Sequence, residues 1–314
     1  MNAKRHQQES PLPALDMEVR IGSLTLSNPI MPASGAFGED MDTIVDFNRL
    51  GAVVPKSITK HPRKGNATPR VCETSAGMIN SIGIQSKGID YYLQHTIPYY
   101  RQYDVPLIAS ISADSVEEFA EMAAVIGSRA GVSGLELNIS CPNLKGNGQA
   151  FGLDPEITCQ LVGQVKQATS QPIIVKLSPN VTSIQEIALA AEQGGADALN
   201  VANTVLAMAI DVHTRRPKIG NVMGGLSGPA VKPIIVRMIY QVSQVTKLPI
   251  IGCGGVMNGE DVIEMMLAGA TAVQVGTASF IKPTALTDIL DEIQAYMRQY
   301  GITSVRDLIG GVVV

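Results

Sequence analysis

The chain has 314 residues, 45% hydrophobic and 17% charged, with 24 Lys and Arg against 28 Asp and Glu for a net charge of −4. That length admits one large barrel or two ordinary domains, and the apolar content excludes wholesale disorder. The mild acidity counts against a nucleic-acid or membrane surface, no apolar run reaches bilayer-spanning length, and the polar stretch 1–10 lacks the apolar centre of a signal peptide.

Residues 1–14 are expected to form a disordered extension. A small hairpin turning at Gly22-Ser23 follows, and from there short β-rich runs alternate with amphipathic stretches. Strands are predicted at 29–33, 52–56, 106–111, 134–139, 172–177, 198–202, 249–252 and 272–275. Helices are predicted at 115–128, 155–169, 183–193, 230–246, 259–268 and 284–300. Asp154-Pro155, Ser183 and Asn258 suit helix starts, whereas Gly127, Gly194-Gly195 and Gly269 suit helix ends.

Eight strands with intervening helices predict an α/β fold: a (β/α)8 TIM barrel, one domain over 15–314, with a small N-terminal β-hairpin. No Gly-x-Gly-x-x-Gly fingerprint follows the first strand to favour a doubly wound sheet. Segments 59–103 and 207–228 exceed a minimal barrel, and both are expected as long inserted loops at its C-terminal face, where barrel active sites sit.

On that frame polar residues fall at one strand end after another. Ser34 ends the first strand, Lys56-Ser57 the second, and Ser110 lies in the third. Asn138 and Cys141 end the fourth, Lys176 lies near the end of the fifth, and Asn203-Thr204 ends the sixth. One such residue is unremarkable, but a full circuit at one mouth describes a binding site. The seventh and eighth strands end in Gly254-Gly255 and Gly276-Thr277, where backbone N–H groups can approach a ligand closely, so a phosphate-bearing ligand is expected.

The chemistry centres on Asn138-Ile139-Ser140-Cys141-Pro142-Asn143. Cys141 carries the side chain there whose ordinary pKa lies nearest neutrality, and the two carboxamides can both donate and accept in one plane, as a flat amide-bearing ring requires. A single Cys of this kind is more often a buried structural thiol, so the surrounding circuit has to carry the argument. Lys56 and Lys176 lie in apolar β runs, where a lysine needs a partner or a shifted pKa. Each lysine fits a snorkelling stem, Lys176 also fits a Schiff-base nucleophile, and together with Cys141 they better fit charge stabilisation of a bound cofactor. The four cysteines show neither metal-binding nor CxxC spacing and read as reduced thiols of a cytoplasmic protein.

From about residue 15 onward the chain resembles the catalytic subunit of class 1 dihydroorotate dehydrogenases, and most closely the NAD-linked class 1B branch. The resemblance rests on Ala33-Ser34-Gly35, Pro69-Arg70-Val71, the run from Gly77 through Asn80-Ser81-Ile82-Gly83-Ile84, and the Asn138 to Asn143 stretch. It continues through Ala150-Phe151-Gly152, Val175-Lys176-Leu177, Asn203-Thr204, the glycine-rich run ending Gly228-Pro229-Ala230, and Gly276-Thr277.

The resemblance implies an FMN-holding barrel that oxidises dihydroorotate to orotate in pyrimidine synthesis. Cys141 would be the base that takes the C5 proton while hydride leaves C6, with Lys56 between flavin and substrate. Asn80, Asn138, Asn143, Asn203 and Thr204 would bind the pyrimidine amides and carboxylate, helped by the backbone of Ser81, Ile82, Gly83 and Ile84. Ser34, Ser57, Ser110, Ala202, Gly228, Gly254, Gly255, Gly276 and Thr277 would contact FMN, with Asn138 and Lys56 also beside it and Lys176 near its N1–C2 region.

Ser110 stands where relatives commonly carry Asn, and Ala202 where they carry a larger aliphatic residue. The implied partner is an electron-transfer subunit carrying FAD and a 2Fe–2S cluster, joined to a homodimer core as a heterotetramer; no nucleic acid, membrane or metal is implied for this chain. A fumarate-reducing class 1A enzyme, a dihydropyrimidine dehydrogenase-like reductase, a Schiff-base aldolase using Lys176 and a non-catalytic binding barrel stay open as alternatives.

Overall fold

The computed structural model describes residues 14–140 and 151–314. The opening hairpin pairs β1 (Val19–Ile21) with β2 (Leu24–Leu26). Its turn residue Gly22 has φ +58, and a Cβ there would lie 2.9 Å from Asp197 Cβ. Val19, Ile21 and Leu26 are fully buried, and Asp197 immediately precedes a barrel strand, so the hairpin plugs the N-terminal end of the core.

The barrel begins at β3 (Ile30–Pro32). An excursion containing β4 (Val71–Thr74) and β5 (Gly77–Asn80) precedes β6 (Ile108–Ile111). Then come β7 (Gly134–Asn138), β8 (Ile173–Lys176) and β9 (Ala198–Val201). A second excursion contains β10 (Val205–Met208), β11 (Ile210–Asp211), β12 (Arg216–Pro217) and β13 (Met223–Ser227). The last barrel strands are β14 (Ile250–Cys253) and β15 (Ala272–Val275). Among the described residues seven parallel strands are ordered β3-β15-β14-β9-β8-β7-β6.

The eighth position is taken by 51–58, which closes the sheet through single bridges. Gly51 N donates to Ile30 O at 2.8 Å, Val53 is bridged to Leu107, and Ile58 to Ile111. The expected second strand is therefore a bridged segment and not a continuous ladder, because Pro55 in its middle has no N–H to donate.

Helices cover the outside. Two short helical pieces, α1 (Ile89–Tyr91) and α2 (Ile97–Tyr100), flank a π turn at Tyr92–Thr96. The crossover helices are α3 (Val116–Gly127), α4 (Pro155–Ala168), α5 (Ile184–Gln193), α6 (Lys232–Ser243), α7 (Gly259–Leu267), a short α8 (Thr277–Ile281) and α9 (Ala285–Tyr300). Ser115, Asp154, Ser183 and Asn258 each accept a backbone N–H of the first turn, so the three starts read from sequence are real caps.

The two excursions are more ordered than loops. They pair with each other in an antiparallel sheet, order β10-β13-β5-β4, that stands over the C-terminal mouth. Gly224-Gly225 reads as turn sequence, yet here it serves close approach. A Cβ at Gly225 would lie 1.9 Å from Thr204 Oγ1, and one at Gly224 would lie 2.5 Å from Asn80 O.

Candidate active site

A cleft of about 1220 Å3 opens at the C-terminal ends of the barrel strands, roofed by the antiparallel sheet. It exceeds the usual volume of a pocket for one drug-sized ligand, up to roughly 1,000 Å3, and leaves room for two molecules side by side. Of the residues expected at the site, Ser34, Lys56, Ser57, Asn80, Ile82, Gly83 and Ile84 line it. So do Asn138, Lys176, Ala202, Asn203, Thr204, Gly254, Gly255, Gly276 and Thr277. Ser81, Ser110 and Gly228 are buried and do not line it. Cys141 and Asn143 lie outside the described residues.

On one side the hydroxyls form a chain. Ser34 donates to Pro55 O at 3.0 Å, Ser57 Oγ is 2.9 Å from both Ser34 Oγ and Ser110 Oγ, and Asn138 Nδ2 reaches Ser57 Oγ at 3.5 Å. Ser110 thus acts on the cleft through Ser57. The aliphatic part of Lys56 crosses under Gly35, whose φ is +89 and whose added Cβ would meet Lys56 Cδ at 3.2 Å.

Opposite, Asn203 Nδ2 donates to Ser140 Oγ at 2.7 Å and to Asn138 Oδ1 at 3.4 Å, while Ser140 Oγ donates to the same Asn138 oxygen at 3.2 Å. Asn203 Oδ1 accepts from Thr204 N at 2.8 Å. This network fixes which faces of both carboxamides are presented. Asn80 closes the roof, donating to Gly225 O at 3.4 Å.

Next to it the backbone is strained. Ile84, a β-branched residue, has φ +50, and Gly83 before it has φ +73. Arg70 braces this loop through Nε to Asn66 O at 2.6 Å, Nη1 to Gln85 Oε1 at 2.9 Å and Nη2 to Lys64 O at 2.8 Å.

Another stretch of the cleft wall is built of glycine. Gly254 and Gly255 have φ +131 and +86, and a Cβ on Gly255 would stand 2.6 Å from Lys232 N. Lys232 is drawn away from the cleft to Asp261 and Glu264, each at 2.6 Å, and these carboxylates raise its pKa. Gly276 and Thr277 complete the wall, with Thr277 Oγ1 donating to Ser227 Oγ at 2.8 Å.

Sequence reasoning missed the floor. Glu136, Asn200 and Gln274 come from alternate barrel strands and are fully buried as one polar layer. Gln274 Nε2 and Asn200 Nδ2 donate to Glu136 Oε2 at 2.6 and 2.8 Å. Lys176 Nζ donates to Gln274 Oε1 at 2.9 Å and lies 3.8 Å from Glu136 Oε1. Burial opposes the Lys176 ammonium, but Cys253 and Glu136 more than offset it and hold its pKa above the ordinary lysine value. Burial pushes the Cys253 thiol up in turn. The signal was available: a carboxylate or amide in the middle of each of three apolar strands, in Leu-Glu-Leu, Leu-Asn-Val and Val-Gln-Val.

The family model described as dihydroorotate dehydrogenase matches residues 16–297. The chain belongs to the dihydroorotate dehydrogenase family. It is 48% identical over 298 residues to the dihydroorotate dehydrogenase B (NAD(+)) catalytic subunit of Alkaliphilus metalliredigens, covering 94% of this chain and 98% of that one. The subunit of the same name from Desulforamulus reducens gives the same identity and coverage. That of Geobacter metallireducens is 47% identical over 301 residues, covering 95% of this chain and 99% of the relative. Among the described residues no His, Cys, Asp and Glu group is placed to hold a metal ion, and no helix is long and apolar enough to cross a membrane.

Proposed function

We propose that this chain is the catalytic subunit of an NAD-linked dihydroorotate dehydrogenase, oxidising dihydroorotate to orotate with FMN in the cleft. The observation that carries the reading is the pairing of two unlike ends in one cleft: a carboxamide network at Asn138, Asn203 and Asn80, and a glycine cradle at Gly254, Gly255 and Gly276. The first suits a planar ring with amide edges, the second a phosphate.

The residues present fit FMN. Gly254, Gly255 and Gly276 leave bare backbone along the cleft wall where a phosphate can approach it, and Ser34, Ser57 and Thr277 offer hydroxyls there. Lys56 and Lys176 bring cations to the same cleft. FMN, when bound, supplies the acceptor for the hydride that leaves C6 of the substrate. Cys141, following the carboxamide network, takes the C5 proton onto its sulfur. Asn138, Asn143, Asn203 and Thr204 hold the ring, and the backbone of 81–84 closes over it. Lys176, which lines the cleft, would hold a positive charge near bound FMN and so favour the negative charge that hydride acceptance brings.

A Schiff-base role for Lys176 requires a neutral amine, and the raised pKa of this lysine opposes it. The electrons leave through a partner subunit, in keeping with the relatives' designation as a catalytic subunit of an NAD(+) enzyme, and FAD and a 2Fe–2S cluster on that partner are proposed from the family resemblance alone.

Anaerobic titration of the purified chain with dihydroorotate tests this reading. The flavin absorbance is expected to bleach, to stay bleached on addition of NAD+ alone, and to recover when an electron-transfer subunit is added. Cys141→Ala is expected to retain FMN but bleach at least about a hundredfold more slowly, the range of a lost general base. Rapid reoxidation by fumarate, or a colourless protein that traps substrate under borohydride, would overturn it.

A further inference from the structure

The buried layer under the cleft holds a carboxylate that no step above uses. Glu136 is fully buried, and its two oxygens are treated unequally. Oε2 takes both amide donors, while Oε1 has no hydrogen-bond partner and faces Lys176 Nζ at 3.8 Å. Gln274 is locked between the pair, its oxygen accepting from Lys176 and Asn200 and its nitrogen donating to Glu136.

Such a pair is a poor device for stability. Desolvating two charges costs about as much as their attraction returns, and apolar replacements of similar volume commonly serve as well. A device for holding charge at a defined spot accounts better for three strands converging on one ammonium.

We propose that Glu136 is a positioning residue that acts through Lys176: it keeps that ammonium seated and charged at the floor of the cleft, and so would set how readily FMN held in that cleft accepts electrons. The proposal rests on the reading that the cleft takes FMN. The groups facing Lys176 can be named strand by strand. Glu136 comes from β7, Cys253 from β14, uncharged Gln274 from β15 and uncharged Asn200 from β9, and Lys56 shares the cleft wall. Burial pushes the Cys253 thiol up, so near neutrality it is uncharged, and its pull on Lys176 sets in only at higher pH, where the thiol ionises. Among the described residues, Glu136 is therefore the carboxylate that balances Lys176.

The sign follows. With Glu136 present, Lys176 stays protonated well past neutral pH. With Glu136→Gln, an unbalanced buried cation remains, and burial lowers a lysine pKa by up to several units. Lys176 then loses its proton within the working pH range, and the flavin loses its cation as pH rises.

The experiment is spectroelectrochemical titration of the FMN-loaded protein between about pH 6 and 9, the span into which a desolvated lysine falls. E136Q is expected to show a downward inflection of midpoint potential that the native protein and K176M lack. E136Q/K176M is expected to superimpose on K176M. The swap E136Q/Q274E returns one carboxylate to the trio and is expected to restore the native profile. An E136Q offset that is equal at every pH, or that persists in the K176M background, would overturn the proposal. Should E136Q not fold, the swap decides alone: an inflection in a folded, flavin-loaded swap variant would overturn it equally. Failure of the FMN reading is visible separately, as a native chain that neither carries nor takes up flavin.

Discussion

Asn203 shows how little of a binding residue's behaviour lies in the residue itself. Its amide is aimed by Ser140, a buried hydroxyl 2.7 Å away that also donates to Asn138. Ser140→Ala removes both links and leaves the Asn203 amide nitrogen with the weaker 3.4 Å contact to Asn138, while its oxygen keeps the Thr204 N–H. Each lost hydrogen bond is worth about 0.5–1.5 kcal/mol, so KM for dihydroorotate is expected to rise roughly tenfold while kcat changes less. Steady-state kinetics checks this, and an unchanged KM would mean that the network does not orient the ring.

Asn138, Asn203 and Lys176 were legible in the sequence because polar residues at barrel-strand ends are conspicuous. Ser140 and Glu136 were not read as functional. A serine beside a cysteine looks like turn chemistry, and a glutamate flanked by leucines looks like ordinary alternation with one face to solvent. Barrel strands have no solvent face on their inner side, so Glu136 had to be either paired or functional.

At the scale of elements, six of the outer helices and seven of the eight expected barrel strands were legible within a few residues, since helical periodicity, caps and β-branched runs agree there, whereas α8 and the bridged character of 51–58 were not. The antiparallel roof was not. Its strands are short, β13 carries two glycines, and its partners lie far apart in the chain: Leu226 pairs with Ile79, and Val205 with Leu226. Local propensity contains no trace of such pairing.

Glycines at these elements separate folding from binding. Gly51→Ala would place a Cβ 2.0 Å from the Asn28 carbonyl oxygen, wedging apart the two segments whose contact closes the barrel. Backbone cannot yield as a side chain can, so a loss of at least about 1–3 kcal/mol is expected. Gly276→Ala meets only Ala33 Cβ, at an ordinary 3.5 Å, yet it adds a methyl group to the wall of the proposed phosphate cradle. Apoprotein stability is expected to stay within about 0.5 kcal/mol of native, while the FMN dissociation constant rises about tenfold or more. Chemical denaturation and flavin-fluorescence titration read the two effects apart, and unimpaired FMN binding by G276A would remove the cradle.

For the whole molecule, the two ends of the described chain share one core. Asp16 N donates to Thr303 O, Val305 N donates to Asp16 O, and Arg306 pairs with Asp16 and donates to Glu18 O. Val305 and Leu308 are buried in the same cluster as the plug strands β1 and β2. The ion pair itself is half exposed, so Arg306→Ala is expected to cost less than about 1 kcal/mol. Deleting 302–314 is different, because it uncovers several aliphatic side chains worth about 1.5–3 kcal/mol each. A melting temperature lower by roughly 10 °C or more is then expected at about 2–4 °C per kcal/mol. Because the plug, the barrel and the C-terminal segment are packed as one cluster, native protein is expected to give a single calorimetric transition. The truncated chain should still bind FMN at low temperature, since the cleft lies at the opposite end of the barrel. Two resolved native transitions, or a truncated chain melting where the native one does, would show that the ends do not hold the barrel together.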